Sequence, residues 1–180
     1  MVVQTLTRTN AAEARTVFLQ DLTPEAQAAS APNLAETLAR RDLAGTRSWA
    51  ESLPPGPARD GALSGVMREW ATQDASGAAA WIDKMPISEG RDMAVTQFAS
   101  TVMRRDPESA VAWAASIGEP QLRATQLEQL TTRWMQTDAA AARQWISQTD
   151  NLTEAAKRRI LNQRPVQGNN YYYNNQFYGM

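Results

Sequence analysis

Apolar residues recur along this chain with helical spacing, and the whole pattern returns every 32 residues. Counted from an aspartate as the first position of a unit, positions 5, 8, 9 and 12 are mostly apolar. This i, i+3, i+4, i+7 spacing marks one face of an α-helix, and an aspartate just before it predicts an N-cap. A fixed period of 20–50 residues predicts a repeat array. The aspartates and the tryptophans at the eighth position are Asp42, Asp74, Asp106, Asp138, Trp49, Trp81, Trp113 and Trp145.

A second helix is predicted in each unit, after a turn rich in proline and glycine. Pro54-Pro55-Gly56-Pro57 forms this turn in one unit and Gly118-Glu119-Pro120 forms it in another. The apolar residues that follow again have helical spacing: Leu63, Val66 and Trp70, then Val95, Phe98 and Val102, then Leu127, Leu130 and Trp134. Each unit is therefore predicted to be a hairpin of two helices.

The pattern extends less regularly towards both ends of the chain. Counting back 32 residues from Asp42 reaches Asn10, which also suits an N-cap, and Leu152, Ala156, Ile160 and Leu161 indicate a shifted closing helix. We therefore predict an all-α fold, an α-solenoid of about five helix-turn-helix hairpins with ten helices. The predicted divisions are an N-terminal extension at 1–9, an array at 10–161 with units 10–41, 42–73, 74–105, 106–137 and 138–161, and an Asn/Tyr-rich C-terminal tail at 162–180.

Composition limits the chemistry open to this chain. It has 18 basic and 19 acidic residues and neither cysteine nor histidine, which removes disulfides, thiolate nucleophiles, ordinary zinc sites and Ser-His-Asp triads. The near-neutral charge argues against nucleic acid as a partner, and no apolar run is long enough for membrane insertion. We expect no metal and no small-molecule cofactor. The N-terminus lacks the apolar region of a signal peptide, which favours the cytoplasm but leaves the compartment unknown.

One unit resembles a known repeat family. The run Asp106-Pro107-Glu108-Ser109-Ala110-Val111-Ala112-Trp113 is similar to the junction and first-helix start of tetratricopeptide repeats. Because the period here is 32 residues rather than about 34, we describe the array as tetratricopeptide-like. The resemblance implies a right-handed superhelix with a concave face that binds peptides or proteins.

Two sets of residues recur at the same position of successive units, and each such column allows both a structural and a ligand-binding interpretation. The tryptophans could form an aromatic ladder for sugars, but their place on an apolar stripe favours burial between the helices of each hairpin. Arg59, Arg91 and Arg123 each begin a second helix. Their guanidinium groups could bind the free carbonyls that end the first helices, or form a basic stripe for an acidic ligand. The sequence leaves both interpretations of the arginines open.

Small residues, including Ser76, Ala79, Ala80 and Ala112, cover the other face of the first helices. This face is either ordinary solvated surface or a shallow groove for a peptide or helix. The candidate partner-binding residues are the larger, varying side chains in this groove: Arg47, Glu51, Asp83, Glu108, Arg143 and Gln144. The pair Glu51-Ser52 resembles the Glu-Ser pair of superhelical lytic transglycosylases. Later units carry Asp83, Ala115 and Ser147 in place of Glu51, so we assign this pair no catalytic role.

The C-terminal tail concentrates the tyrosines of the chain among asparagines and has no charge after Arg164. Such a segment is either a frayed end or an adhesive one, with Tyr171, Tyr172 and Tyr173 as anchors on its own or a neighbouring array. We expect a non-enzymatic scaffold that binds a protein or peptide on a concave face. The alternative is a structural subunit that self-associates through this tail. A carboxylate-dependent enzyme or an RNA-binding helical repeat is less favoured by these features.

Overall fold

The computed structural model describes residues 10–162, and within this range the protein is all-α, with ten helices and no β-strand. The prediction of an all-α fold is confirmed. None of the described helices is both long and apolar enough to span a membrane. The helices are α1 (Ala11–Gln20), α2 (Pro24–Ala39), α3 (Leu43–Ser52), α4 (Pro57–Gln73), α5 (Ala75–Ile82), α6 (Glu89–Val102), α7 (Pro107–Ala115), α8 (Pro120–Thr137), α9 (Ala139–Gln148) and α10 (Glu154–Asn162).

Aspartate or asparagine side chains begin all five odd-numbered helices. Each side chain accepts a hydrogen bond from a backbone N–H in the first turn, which satisfies a donor that has no partner inside the helix. The negative charge of the aspartates also suits the positive end of the helix dipole. The capping residues are those predicted from the sequence: Asn10, Asp42, Asp74, Asp106 and Asp138.

The even-numbered helices pack against one another, α2 on α4, α4 on α6 and α8 on α10, while odd-numbered helices flank them. The contact between α2 and α4 is the most extensive, and glycine makes it possible. A Cβ atom on Gly65 would lie 2.1 Å from the carbonyl oxygen of Pro32. Because only glycine lacks that atom, the two helix backbones can approach this closely.

The buried apolar residues form two clusters rather than one centre. The first is built by α1 to α4 and the second by α4 to α10, so α4 takes part in both. Val66 faces the first cluster, whereas its neighbour Met67 and also Trp70 belong to the second. Leu161 was expected on the apolar stripe of the closing helix but is 41% exposed.

The tryptophan column packs on aromatic residues of the preceding unit, not only within its own hairpin as expected. Trp49 is buried, and Trp81, Trp113 and Trp145 are partly buried against the second cluster. Because the tryptophans join adjacent units, they hold the sequence of helices together. The ring centroids lie 5.4 Å apart for Trp49 and Phe18, 5.9 Å for Trp81 and Trp70, 5.1 Å for Trp113 and Phe98, and 6.2 Å for Trp145 and Trp134.

Candidate functional site

A groove of about 670 Å³ lies between helices α4, α5, α6 and α7, with the end of α2 at one side. Its size is that of a typical ligand-binding cleft. Hydroxyl groups line it from four helices or their ends, and two aromatic side chains, Phe98 and Trp113, add apolar surface. The hydroxyl-bearing residues are Thr72, Ser76, Ser100, Thr101 and Ser109.

An ion-pair network forms one side of the groove, where α2 and α4 meet. Arg40 binds both Glu36 and Glu69, with its Nε 3.2 Å from an oxygen of Glu69. Arg68 donates to Glu36 at 2.8 Å and to the side-chain oxygen of Gln97 at 3.4 Å. The hydrogen bond to Glu69 is the main reason that the pKa of Arg40 is raised above its ordinary value. These arginines therefore already have acidic partners within the chain.

The junction of α6 and α7 forms another side of the groove. Arg105 donates to the backbone carbonyl of Thr72 at 3.3 Å, which holds the junction against the end of α4. Asp106 accepts the backbone N–H of Ser109 at 3.0 Å. Hydrogen bonds from the side chain and then the backbone of Ser109 hold the pKa of Asp106 below its usual range. Asp106 is therefore a stable negative charge in the groove at neutral pH.

Two helices supply the walls that flank Trp113. Asp106, Ser109 and Trp113 follow the i, i+3, i+7 spacing that places side chains on one face of a helix, and all three line the groove. The facing residues from α5, Ser76 and Ala79, are small and also line the groove. The ring of Trp113 meets Phe98 edge-on, with an interplanar angle of 66°. One part of the groove thus combines a carboxylate, hydroxyls and an aromatic ring.

The candidate partner-binding residues predicted from the sequence do not meet at this groove. Arg47 lies 3.7 Å from Glu51 on the same helix, and its guanidinium is 5.3 Å from the ring centroid of Trp70. The remaining four are exposed: Asp83, Glu108, Arg143 and Gln144. None of these six described residues lines the groove. Tyr171, Tyr172 and Tyr173 lie outside the described residues.

Two members of the arginine column bind carbonyls that follow the end of a first helix. Arg91 donates to the carbonyl of Ser116 at 2.9 Å, and Arg123 donates to that of Ile117 at 2.7 Å. Both match the structural interpretation of the column. Within the described residues Arg59 makes no such hydrogen bond, and its Nε is buried without a partner.

The small residues Ser76 and Ala79 were predicted from the sequence, whereas the charged side of the groove was not. The charged side comes from the second helices α2 and α4, whereas the predicted partner-binding residues of the array lie on first helices; its residues are Glu36, Arg40, Arg68 and Glu69. One position of the 32-residue pattern could have indicated where the groove lies. It carries Arg15, Arg47 and Arg143, but a small alanine at 79, which lines the groove. Within residues 10–162, no group of acidic side chains is arranged to hold a metal ion. No protein-family model, curated protein or solved structure matches the chain.

Proposed function

We propose that this protein is a non-enzymatic scaffold that holds a peptide segment of a protein partner in the groove between α4 and α7. The groove itself carries the proposal, because it offers hydroxyl, amide and charged groups on several walls around an aromatic ring. An extended peptide needs partners for its own N–H and C=O groups, and this lining supplies both donors and acceptors.

The proposed architecture around the groove is a tetratricopeptide-like right-handed superhelix. The capped helices α3, α5, α7 and α9 begin at residues 43, 75, 107 and 139, an interval of 32. Helix α2 packs on α4, α4 on α6 and α8 on α10, and the tryptophans join each unit to the preceding one. In such an array the differences between units create specificity.

A protein partner is favoured over the other classes. Net charge is −1, so the chain has little to attract the phosphates of RNA, and filter binding at low salt should detect no retention. The absence of cysteine and histidine limits catalysis to carboxylates, and the groove's Glu36 and Glu69 are engaged with arginines. We accordingly propose no catalytic residue, metal or cofactor.

Filling the groove tests the proposal. Ser76→Gln together with Ala79→Gln adds two amide side chains to residues that line it. The matched control is Ala80→Gln with Ala112→Gln, since both alanines are exposed and neither lines the groove; Ala80 lies on α5 like the test residues, and Ala112 lies on α7. A partner captured from native extract by the wild-type chain should be lost from the first variant and kept by the control. Equal capture by both variants would place the binding surface elsewhere.

Self-association through the C-terminal tail is the second candidate function. The tail combines four tyrosines and six Asn or Gln side chains with no charge over residues 165–180, a composition that favours contact with other protein surfaces. Light scattering on the full chain and on a chain lacking residues 165–180 separates the two functions. A fall in mass on deletion would support a self-associating subunit, while an unchanged mass would count against one.

A further inference from the structure

We infer that the groove contains a subsite for an arginine side chain of the bound peptide, on the ring of Trp113 next to Ala79. This inference rests on the proposed function and names the chemistry of one residue of the partner. It follows from a comparison between equivalent positions of the chain, the first of which holds an arginine against the tryptophan of the next unit.

The first unit shows how a guanidinium occupies this position. The Cζ atom of Arg15 lies 5.6 Å from the ring centroid of Trp49, and one of its terminal nitrogens donates to the hydroxyl of Thr46 at 3.2 Å. Arg47, which is 32 residues later, lies 5.3 Å from the ring centroid of Trp70. Both distances are within the range of a cation–π interaction. The Arg15 pair joins consecutive units, whereas Arg47 covers a tryptophan of its own unit, 42–73.

The next unit lacks this arginine, and the groove is found there. The residue 32 positions after Arg47 is Ala79, which lines the groove together with Trp113. One unit further on, the equivalent Val111 is fully buried and belongs to the core. Because the side chain of Ala79 is small, the ring of Trp113 borders the open groove. An arginine brought by a partner would cover Trp113 in the way that Arg15 covers Trp49.

The surroundings of Trp113 suit a guanidinium. Ser109 lies one helical turn before the ring and offers a hydroxyl acceptor, as Thr46 does for Arg15. Asp106 on the same face supplies a negative charge. Four arginines also line the groove: Arg40 and Arg68 bind Glu36 or Glu69, Arg105 donates to the carbonyl of Thr72, and Arg104 is exposed. A flat, weakly hydrated guanidinium also stacks on an indole better than an ammonium group does.

The inference is tested with two acetylated and amidated peptides, Gly-Ser-Arg-Ser-Gly and the same peptide with citrulline in place of arginine. Citrulline keeps the planar shape and removes the charge. On the full chain, the arginine peptide should shift the indole N–H resonance of Trp113, assigned with the variant Trp113→Phe, and bind roughly two- to fivefold tighter than the citrulline peptide. Equal binding of the two peptides, or no shift at Trp113, would overturn the inference.

A pair of variants provides the second arm. Ala79→Arg should place a tethered guanidinium over Trp113, as Arg15 covers Trp49, and abolish the response to the arginine peptide. Ala80→Arg adds the same charge at an exposed neighbouring position outside the groove and should leave the response unchanged. Equal responses from the two variants would contradict the subsite. The variant with Ser76→Gln and Ala79→Gln separates the two proposals. If it fails to capture the protein partner, but the wild-type chain binds the arginine and citrulline peptides equally, the peptide-binding function stands and the arginine subsite fails.

Discussion

Asp92, near the start of α6, accepts the backbone N–H of Gly118 at 2.8 Å, although Gly118 belongs to the turn between α7 and α8. The second carboxylate oxygen of Asp92 accepts the N–H of Glu119 at 2.9 Å. Asp92 is only 4% exposed, so this carboxylate is a buried anchor. Together with Arg91, which binds the carbonyl of Ser116, it fixes the turn of one unit to the second helix of the unit before.

Replacing Asp92 should therefore weaken the fold markedly. Asp92→Ala leaves two backbone N–H groups without their acceptor, and we expect a loss of about 3 kcal/mol in the free energy of unfolding. Asp92→Asn keeps one acceptor oxygen and should lose less. Asp60→Ala is the matched control, since Asp60 precedes Asp92 by 32 residues. Urea denaturation measures all three, and similar losses for Asp92→Ala and Asp60→Ala would contradict the anchoring role.

Adding one methyl group between α2 and α4 should separate the two helices. At most exposed helix positions, replacing glycine by alanine stabilises a helix by up to about 1 kcal/mol. At Gly65 the new Cβ would instead lie 2.1 Å from a backbone oxygen, so Gly65→Ala should destabilise by about 2 kcal/mol or more. Gly90→Ala is the control, because its nearest neighbour would be the hydroxyl of Ser88 at 4.0 Å. The midpoint of thermal unfolding should fall for Gly65→Ala and rise for Gly90→Ala.

Trp81 joins α4 to α6 and is expected to contribute strongly to stability. Its ring is tilted by 47° against that of Trp70, and Leu63 and Met93 are among its neighbours at a small cleft between these helices. Trp81→Ala should cost about 3 kcal/mol, the lower end of the range for large aromatic deletions, because the ring is only partly buried. Ile87→Ala, at a side chain that is 81% exposed, should cost little. A loss below about 1 kcal/mol for Trp81→Ala in denaturant melts would show that the ring is not a core contact.

The cap at Asp106 should make the protein less stable towards unfolding as the pH becomes acidic. Its pKa is lowered in the folded chain, so its stabilising effect is present above the pKa of an unfolded aspartate and is lost as pH falls through the lower folded pKa. Asp106→Ala should cost about 1 kcal/mol at neutral pH. Asp106→Asn retains a capping oxygen and should flatten the acid dependence of the unfolding midpoint. If the unfolding midpoint of Asp106→Asn falls at acid pH as much as that of the wild-type chain, other carboxylates cause the pH dependence.

The local pattern of this chain was sufficient to determine its helices. Aspartate caps and helical spacing act within one or two turns, and each predicted cap begins a helix in the structure. The prediction of buried second-helix positions holds for Val66, Val95 and Leu127. Such features depend on backbone hydrogen bonds and on one apolar face, both of which a single sequence contains.

Only the tertiary structure decided which helices meet and where a groove remains. The close approach of Gly65 to Pro32 depends on two backbones that are distant in sequence, and the pairing of each tryptophan with the preceding unit depends on how units stack. Glu36 and Arg68 meet in the same way, across α2 and α4. The open space beside Trp113 arises because Ala79 is small and its neighbours leave the space unfilled, which the sequence of one helix does not specify. Packing between distant segments, rather than local propensity, therefore determines the candidate site.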